Sequence, residues 1–545
     1  MNTDWGCLTA RGIKHLSWER GLIAVFLTTV WAGSLAYHGF RGDVQSDLAI
    51  GRWILAHHQV PHRNLWMTAA WHHSFSDTEW LYGVMVALLY RTGGRLAIYG
   101  FGVTVIAGLS VGLAGWIVRI SPVWRWPVTV VMAFLLSPAI TPRPVLLTFL
   151  GWWAVVEAIR RYRANGQRTW LWIVAALTVV WTQIHMTVVL VPIALAWEML
   201  AGMPERRRAL AGPLGLAIVG TVARVGGVGS AAGFLGHVLT PLILTHIIEW
   251  MPPDPRTWRG VFVFGWLFGV WSSVWPVLRR QHDWVSQGWL IGGTGAALFA
   301  QRFVPYMAIG TLMLLMTHVP PSRSGARGWR TGMLVALTTP VLGLMALTIR
   351  QSGVFRPAWP ASALTFLQKH HATNIVSRSG DTLTGAGLIP WVNGQIQLVS
   401  DAPWLPLWLD TIQGTVEPAQ FVARADPTSR WIVWPLDRAP GLPVRMPSSW
   451  RMVWRGDIRW NGGFQKIPSA IWERVAPDAC LQCNRHGLAV CSGCRVSSVS
   501  HLHATGWDTL YPIPVPSSTP CGFPMNTADG HSYSEVLHST HGSHP

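Results

Sequence analysis

Long apolar runs, separated by short arginine-rich clusters, recur from Gly21 to Thr348. The first is "GLIAVFLTTVWAGSLAY" (Gly21–Tyr37). Runs of roughly 16–23 residues are long enough, or nearly so, to cross a bilayer as helices. Others lie near residues 96–118, 126–140, 144–159, 169–184, 186–201, 210–224, 259–278, 287–301, 303–319 and 330–349. "TEWLYGVMVALLYRTGG" (Thr78–Gly94) carries fewer apolar residues and is expected as an interfacial or re-entrant helix. About eleven spans follow, within a range of roughly ten to thirteen because several runs are short. The expected fold class is an α-helical polytopic membrane bundle. Beyond it the pattern changes to short alternating stretches, such as "GQIQLVS" (Gly394–Ser400) and "RWIVWPL" (Arg430–Leu436), divided by Pro, Gly and Asp. These predict a small soluble domain, α/β or mostly β.

Charge orients the bundle. With Arg11, Lys14 and Arg20 inside, the clusters "RRYR" (Arg160–Arg163), "ERRR" (Glu205–Arg208) and "RR" (Arg279–Arg280) also fall inside, as the excess of Lys and Arg in cytoplasmic loops requires. The expected order is a cytoplasmic N-terminus (1–20), a bundle (21–350) with a first exterior loop (38–95), an exterior domain (356–465) and a tail (470–545). The tail is rich in Cys, His, Ser and Pro and is expected to be disordered. The implied location is the plasma membrane, with several crossings.

Composition agrees: 12% of the 545 residues are charged, against about a quarter in soluble proteins, and 35 are tryptophan. A formal charge of +18 does not point to nucleic acid, because the basic residues sit in loop clusters between apolar runs. In the tail, "ACLQCNRHGLAVCSGC" carries Cys480, Cys483, Cys491 and Cys494. Two CxxC pairs suit zinc, yet the spacer is shorter than in most zinc ribbons; disulfide pairing and an unstructured tail stay open beside it.

Acids are scarce, 24 in all, so their placement is informative. In "GDVQSDLAIGRWILAHHQVP", just past the first span, Asp43 and Asp47 are one helical turn apart, with Arg52 further on. An amphipathic interfacial helix is expected there, with acids toward water or protein and Val44, Leu48 and Leu55 toward lipid. "AWHHSFSDTEWL" adds His72, His73, Asp77 and Glu79; an acid held at membrane level normally faces a polar cavity. At the outer ends of later spans stand Arg143 in "TPRPVLL", His185 in "WTQIHMT", Glu249 and Asp254 in "IIEWMPPD", and Arg302 in "FAQRFVPY". Distant segments thus send charge to one face of the bundle.

The order "D…GRWIL…P…EWL…GG", an "RP" pair, "W…H", "EW.PPD" and "R..P" resembles bacterial membrane glycosyltransferases of the GT-C class, nearest to a mannosyltransferase-like group with a C-terminal exterior domain. The resemblance spans about residues 20–460 and lies in the order of motifs more than in any one of them. It implies a hexosyltransferase-type, inverting enzyme that moves a sugar from a polyprenyl-phosphate donor to a glycan, lipid or protein acceptor at the exterior face. It gives the first-loop acid, here Asp43, the catalytic part, with Asp47 and Glu79 beside it. Arg52, Arg143, His185, Glu249 and Arg302 are implied in substrate binding. A divalent cation shared by the acids stays open as a cofactor. The sequence departs from the group at Asp47, often His there, at Asn64, often Asp, and in "WTQIHMT", where "W.N.HG" is commoner and only Trp181 and His185 match. Outer-loop Trp66, Trp71 and Trp80 suit stacking on sugar rings. A transporter or flippase for a lipid-linked glycan, and a non-catalytic membrane-anchored assembly protein, remain as alternatives.

Overall fold

The computed structural model describes residues 10–40, 42–70, 77, 79–202, 204–224, 227, 248–319, 359–378, 380–392, 402–439, 442–458 and 467–475. The apolar runs fold as helices: α1 (Ala10–His38), α2 (Asp43–His57), α3 (Trp80–Ile117), α4 (Arg125–Leu136), α5 (Val145–Asn165), α6 (Thr169–Trp181), α7 (Leu190–Ala201), α8 (Pro204–Val222), α9 (Trp258–Gln281), α10 (Trp284–Phe299) and α11 (Val304–His318). Three stretches among the described residues are long and apolar enough to cross a membrane: Trp18–His38, Trp80–Ile117 and Trp258–Gln281. Shorter apolar helices (Arg125–Ala139, Thr169–Trp181 and Met186–Ala201) occupy places where further spans are expected. The expected span at 330–349 lies outside the described residues.

One apolar core, including Leu27, Trp31, Ile106, Leu109, Phe149, Val156 and Leu312, is shared by helices throughout the bundle. Leu200, Val261 and Phe268 point outward and are exposed, a surface that water would penalise and lipid would not. The expected break between residues 78–94 and the following span exists: α3 loses helical geometry at Gly93 and Gly94, the latter at φ 60.

The first-loop helix differs from the expectation. Val44 and Leu48 do not face lipid; they are fully buried against Tyr82, Val86, Ala87 and Ile98 of α3. The physical reason is a backbone crossing. A Cβ on Gly51 would stand 1.9 Å from the Gly83 carbonyl oxygen, so only glycine lets α2 and α3 approach this closely. Protein, not bilayer, covers the apolar face.

The soluble part is α/β. Helix α12 (Ala361–Lys369) precedes β1 (Thr373–Ser377), α13 (Gly380–Gly385), β2 (Ile389–Pro390), α14 (Leu405–Gln413), α15 (Pro418–Ala425), β3 (Trp431–Pro435), β4 (Asp437–Ala439), β5 (Leu442–Pro443), β6 (Trp450–Ile458) and β7 (Ile467–Arg474). The main sheet has the order β2-β1-β3-β7-β6, parallel from β2 to β3 and antiparallel beyond. Strand β3, "WIVWP", is buried throughout; Trp431 and Val433 enter one apolar cluster, Ile432 and Trp434 the other. Two covered faces explain its unbroken hydrophobic run. The sheet runs to Arg474, past the boundary expected near 465, because β7 is an interior strand between β3 and β6. "GQIQLVS", Trp71, His72, His73 and the four tail cysteines lie outside the described residues.

This domain grips the first loop. Ser46 Oγ donates to Asp381 Oδ1 at 2.6 Å, Thr68 Oγ1 donates to Asn374 Oδ1 at 2.7 Å, and the Ala69 N–H donates to the Trp391 carbonyl at 3.0 Å. Met67 and Ala70 belong to the domain's own apolar cluster.

Candidate active site

Asp43 opens α2. The preceding Gly42 has φ 58, a turn that favours glycine, although a Cβ there would meet Arg143 Nη2 only at an ordinary 3.8 Å. Arg143, held between Pro142 and Pro144 at the start of α5, joins two acids from distant segments. Its Nε is 3.0 Å from Asp43 Oδ2, and its Nη1 donates to Glu249 Oε1 at 2.8 Å.

On the other side of the cleft, Glu79 precedes α3, and its N–H donates to Asp77 Oδ1 at 2.8 Å. Its Oε1 is 3.5 Å from His185 Nε2. Arg302 Nη2 lies 3.1 Å from the same nitrogen. On the other side of the ring, Nδ1 accepts from the Thr187 N–H at 3.2 Å and lies 2.8 Å from Thr187 Oγ1. The Arg302 guanidinium also rests over the Trp250 ring, 4.9 Å from its centroid. Among the described residues no carboxylate pairs with Arg302 within 4 Å.

A cavity of about 140 Å³ is lined by Asp43, Glu79, Arg143, His185, Glu249 and Arg302 together. Six of the eight residues read from the sequence therefore converge. Arg52 does not: its guanidinium lies over Tyr90 at 4.7 Å, outside the cavity lining. Asp47 does not line it either; it is buried one turn behind Asp43 with Oδ2 unpartnered. The sequence reading missed Arg259, which lines the same cavity. It stands in the first turn of α9, after Thr257 caps that helix by accepting from the Gly260 N–H at 3.1 Å. An arginine at the outer end of an apolar run was the available signal, shared with Arg143 and Arg302. Of the tryptophans expected to stack on sugar, Trp66 is core, and Trp80 Nε1 is engaged by Gln183 Oε1 at 2.7 Å.

The electrostatics divide the acids. Burial, then Asp77, pushes the Glu79 carboxyl up to about 8, with Arg302 opposing. Burial pushes Asp77 up to about 6 against the Glu79 N–H and Arg224. Asp47 is raised well above the usual carboxylate range by burial foremost, then by Glu79 and Asp43. Burial would raise Glu249 too, but Arg143 and Arg302 outweigh it and hold it below its ordinary value. Asp43 foremost, with Glu249 adding, raises Arg143 against burial. His185 is lowered well below its ordinary value by burial, then by Arg302 and Arg143, so its ring is neutral. With Glu79 protonated at neutral pH, three guanidiniums outnumber the charged acids of the cavity, which suits an anion. Among the described residues no three His, Cys, Asp or Glu side chains are placed to hold a metal ion.

No family model matches the chain, and no curated protein matches it. Solved structures of similar fold include two from one archaeon. One is the oligosaccharyltransferase of Archaeoglobus fulgidus in the apo form, at 12% identity over 77% of this chain and 70% of that one, with a TM-score of 0.47. The other is the archaeal oligosaccharyltransferase AglB from the same organism with an inhibitory peptide and a dolichol-phosphate, also at 12% identity over the same shares, with a TM-score of 0.44. These are loose likenesses; the side chains of the cleft are what bear on function.

Proposed function

We propose that the protein is a membrane glycosyltransferase that moves a sugar from a polyprenyl-phosphate donor to an acceptor hydroxyl at the exterior face, with inversion. The observation that carries this reading is the single cavity joining Asp43, Glu79, Arg143 and Arg302 at the ends of apolar helices. The donor's lipid tail would lie between helices and its phosphate at their ends. Asp43, which keeps 41% of its side chain exposed, takes the proton of the acceptor hydroxyl. The hydroxyl oxygen attacks the anomeric carbon, the bond to the phosphate oxygen breaks, and polyprenyl phosphate leaves with the electron pair. Arg302, stacked on Trp250 and unpaired with any described carboxylate, clamps that phosphate. Arg143, already bonded to Asp43 and Glu249, positions the base instead.

A flippase would place its charges near mid-membrane, and this cleft has them at helix ends. A non-catalytic anchor would not need carboxylates and guanidiniums gathered in one cavity. The test uses membranes bearing the full chain and a polyprenyl-phosphate sugar, with product measured directly. Asp43→Asn should lower transfer by about 10²–10⁴-fold while the protein stays folded. Undiminished transfer by Asp43→Asn would take the base role from Asp43, and no transfer by wild type with any such donor would remove the reading.

A further inference from the structure

The helices that carry the cleft also build a second site at their opposite ends. Helix α5 has 21 residues, about 30 Å at 1.5 Å per residue, which is the thickness of a bilayer's hydrocarbon core. Its first turn follows Arg143; its last turns carry Glu157, Arg160 and Arg161. There, between α1, α3 and α5, lies a groove of about 790 Å³.

Glycines on α3 let the side chains that wall this groove come close to the helix. Gly108, Gly112 and Gly115 recur at nearly helical spacing on its wall. The Trp153 ring lies over Gly112, 2.5 Å from where a Cβ would be. The Arg20 guanidinium lies over Gly115, 3.5 Å from the corresponding point. Val111, beside them, is exposed, so the groove opens on the apolar perimeter.

Its charge is unbalanced. Glu157 is the one acid in the lining, and its oxygens are already taken. They accept from Arg160 at 2.7 and 2.8 Å, from Arg161 Nε at 2.8 Å and from the Trp116 indole at 2.9 Å. Arg20 and Arg119 have no carboxylate partner among the described residues; the hydrogen-bond-like contact of Arg119 is the Met316 sulfur at 4.0 Å. Arg119 is pulled below its ordinary value by partial burial first and then by Arg160, with Glu157 opposing and Arg20 and Arg161 adding to the pull. An anion held between Arg20 and Arg119 relieves this repulsion.

We infer that the groove binds one anionic phospholipid of the leaflet opposite the cleft. Its phosphate is bracketed by Arg20 and Arg119, and an acyl chain lies along the glycine-lined wall of α3. Basic pockets between membrane helices on the cytoplasmic side are suited to such headgroups, and the volume exceeds what a bare phosphate would fill. The site is independent of the sugar-transfer reading.

The test uses the full chain purified in a zwitterionic detergent, with retained lipid counted by native mass spectrometry and unfolding followed with added phosphatidylglycerol, phosphatidylcholine or inorganic phosphate. Wild type should retain one phosphatidylglycerol, and its Tm should rise with that lipid alone. The double variant Arg20→Gln with Arg119→Gln should lose both signals. Gly108→Leu fills the wall where a Cβ meets only Leu150 at 3.8 Å, and it should lose retention with all charges intact. Arg207→Gln with Arg208→Gln, in another basic loop, should keep both signals. Retention surviving in both groove variants, equal loss in the loop variant, or an equal Tm rise with inorganic phosphate would each overturn the assignment.

Discussion

Glu79 is the residue where burial and chemistry meet most directly. It binds its proton more tightly in the fold, at about 8, than at its ordinary value of 4.5. Between those pH values the folded state holds a proton that the unfolded chain has released, so stability falls as pH climbs from about 4.5 to about 8. Glu79→Gln cannot ionise and should flatten that fall; thermal unfolding of both proteins from pH 5 to 9 checks it. Parallel curves would mean that Glu79 is solvated like any surface acid. Arg302 yields a second expectation at this scale. Arg302→Lys keeps the charge but loses the two-point fork, so transfer should fall severalfold or more with wild-type folding, whereas Arg302→Gln should fall further. Equal rates for Lys and Arg would leave only a point charge at work.

Among the elements, α2 matters most, because it carries Asp43 and is held from two sides. Its crossing with α3 depends on Gly51 facing Gly83 at backbone distance. Gly51→Leu should force the helices apart and cost about 1–3 kcal/mol or more, as overpacking does. Lower thermal stability together with lower transfer is the expected outcome. Unchanged stability would show that α2 can slide without loss. From above, Ser46 and Gln45 meet α13 of the soluble domain: a Cβ on Gly385 would stand 2.8 Å from the Gln45 Cβ. The domain therefore braces the helix that carries Asp43.

For the molecule as a whole, the sheet sets where the chain must end to fold. Strand β7 pairs with β3 along one edge and β6 along the other. A chain stopped after Pro468 loses that interior strand and should lose the soluble domain, seen as protease sensitivity and failed solubilisation. A chain stopped after Val475 keeps every described strand and should insert and purify like the full chain. Comparable behaviour of the two would place the stability of the domain elsewhere.

Hydrophobic periodicity by itself determined the helical bundle, most helix positions, the break near Gly94 and a strand in "RWIVWPL", since these follow from local transfer energies along the chain; that this strand is covered on both faces, where alternation implied one, only the sheet decided. Scarce charge at the ends of apolar runs also marked Asp43, Glu79, Arg143, His185, Glu249 and Arg302, because an ionised group near lipid needs a polar partner. Tertiary structure alone decided how they pair. Arg143 faces Asp43 and Glu249, while Arg302 faces His185, and sequence spacing carries no information on contacts a hundred or more residues apart. It also turned Asp47 and Arg52 away from the cavity. Arg52, nine residues on from Asp43, falls on the opposite face of α2, whereas Asp47 shares the face of Asp43 but lies one turn further along, buried where α2 packs closely on Gly83 of α3.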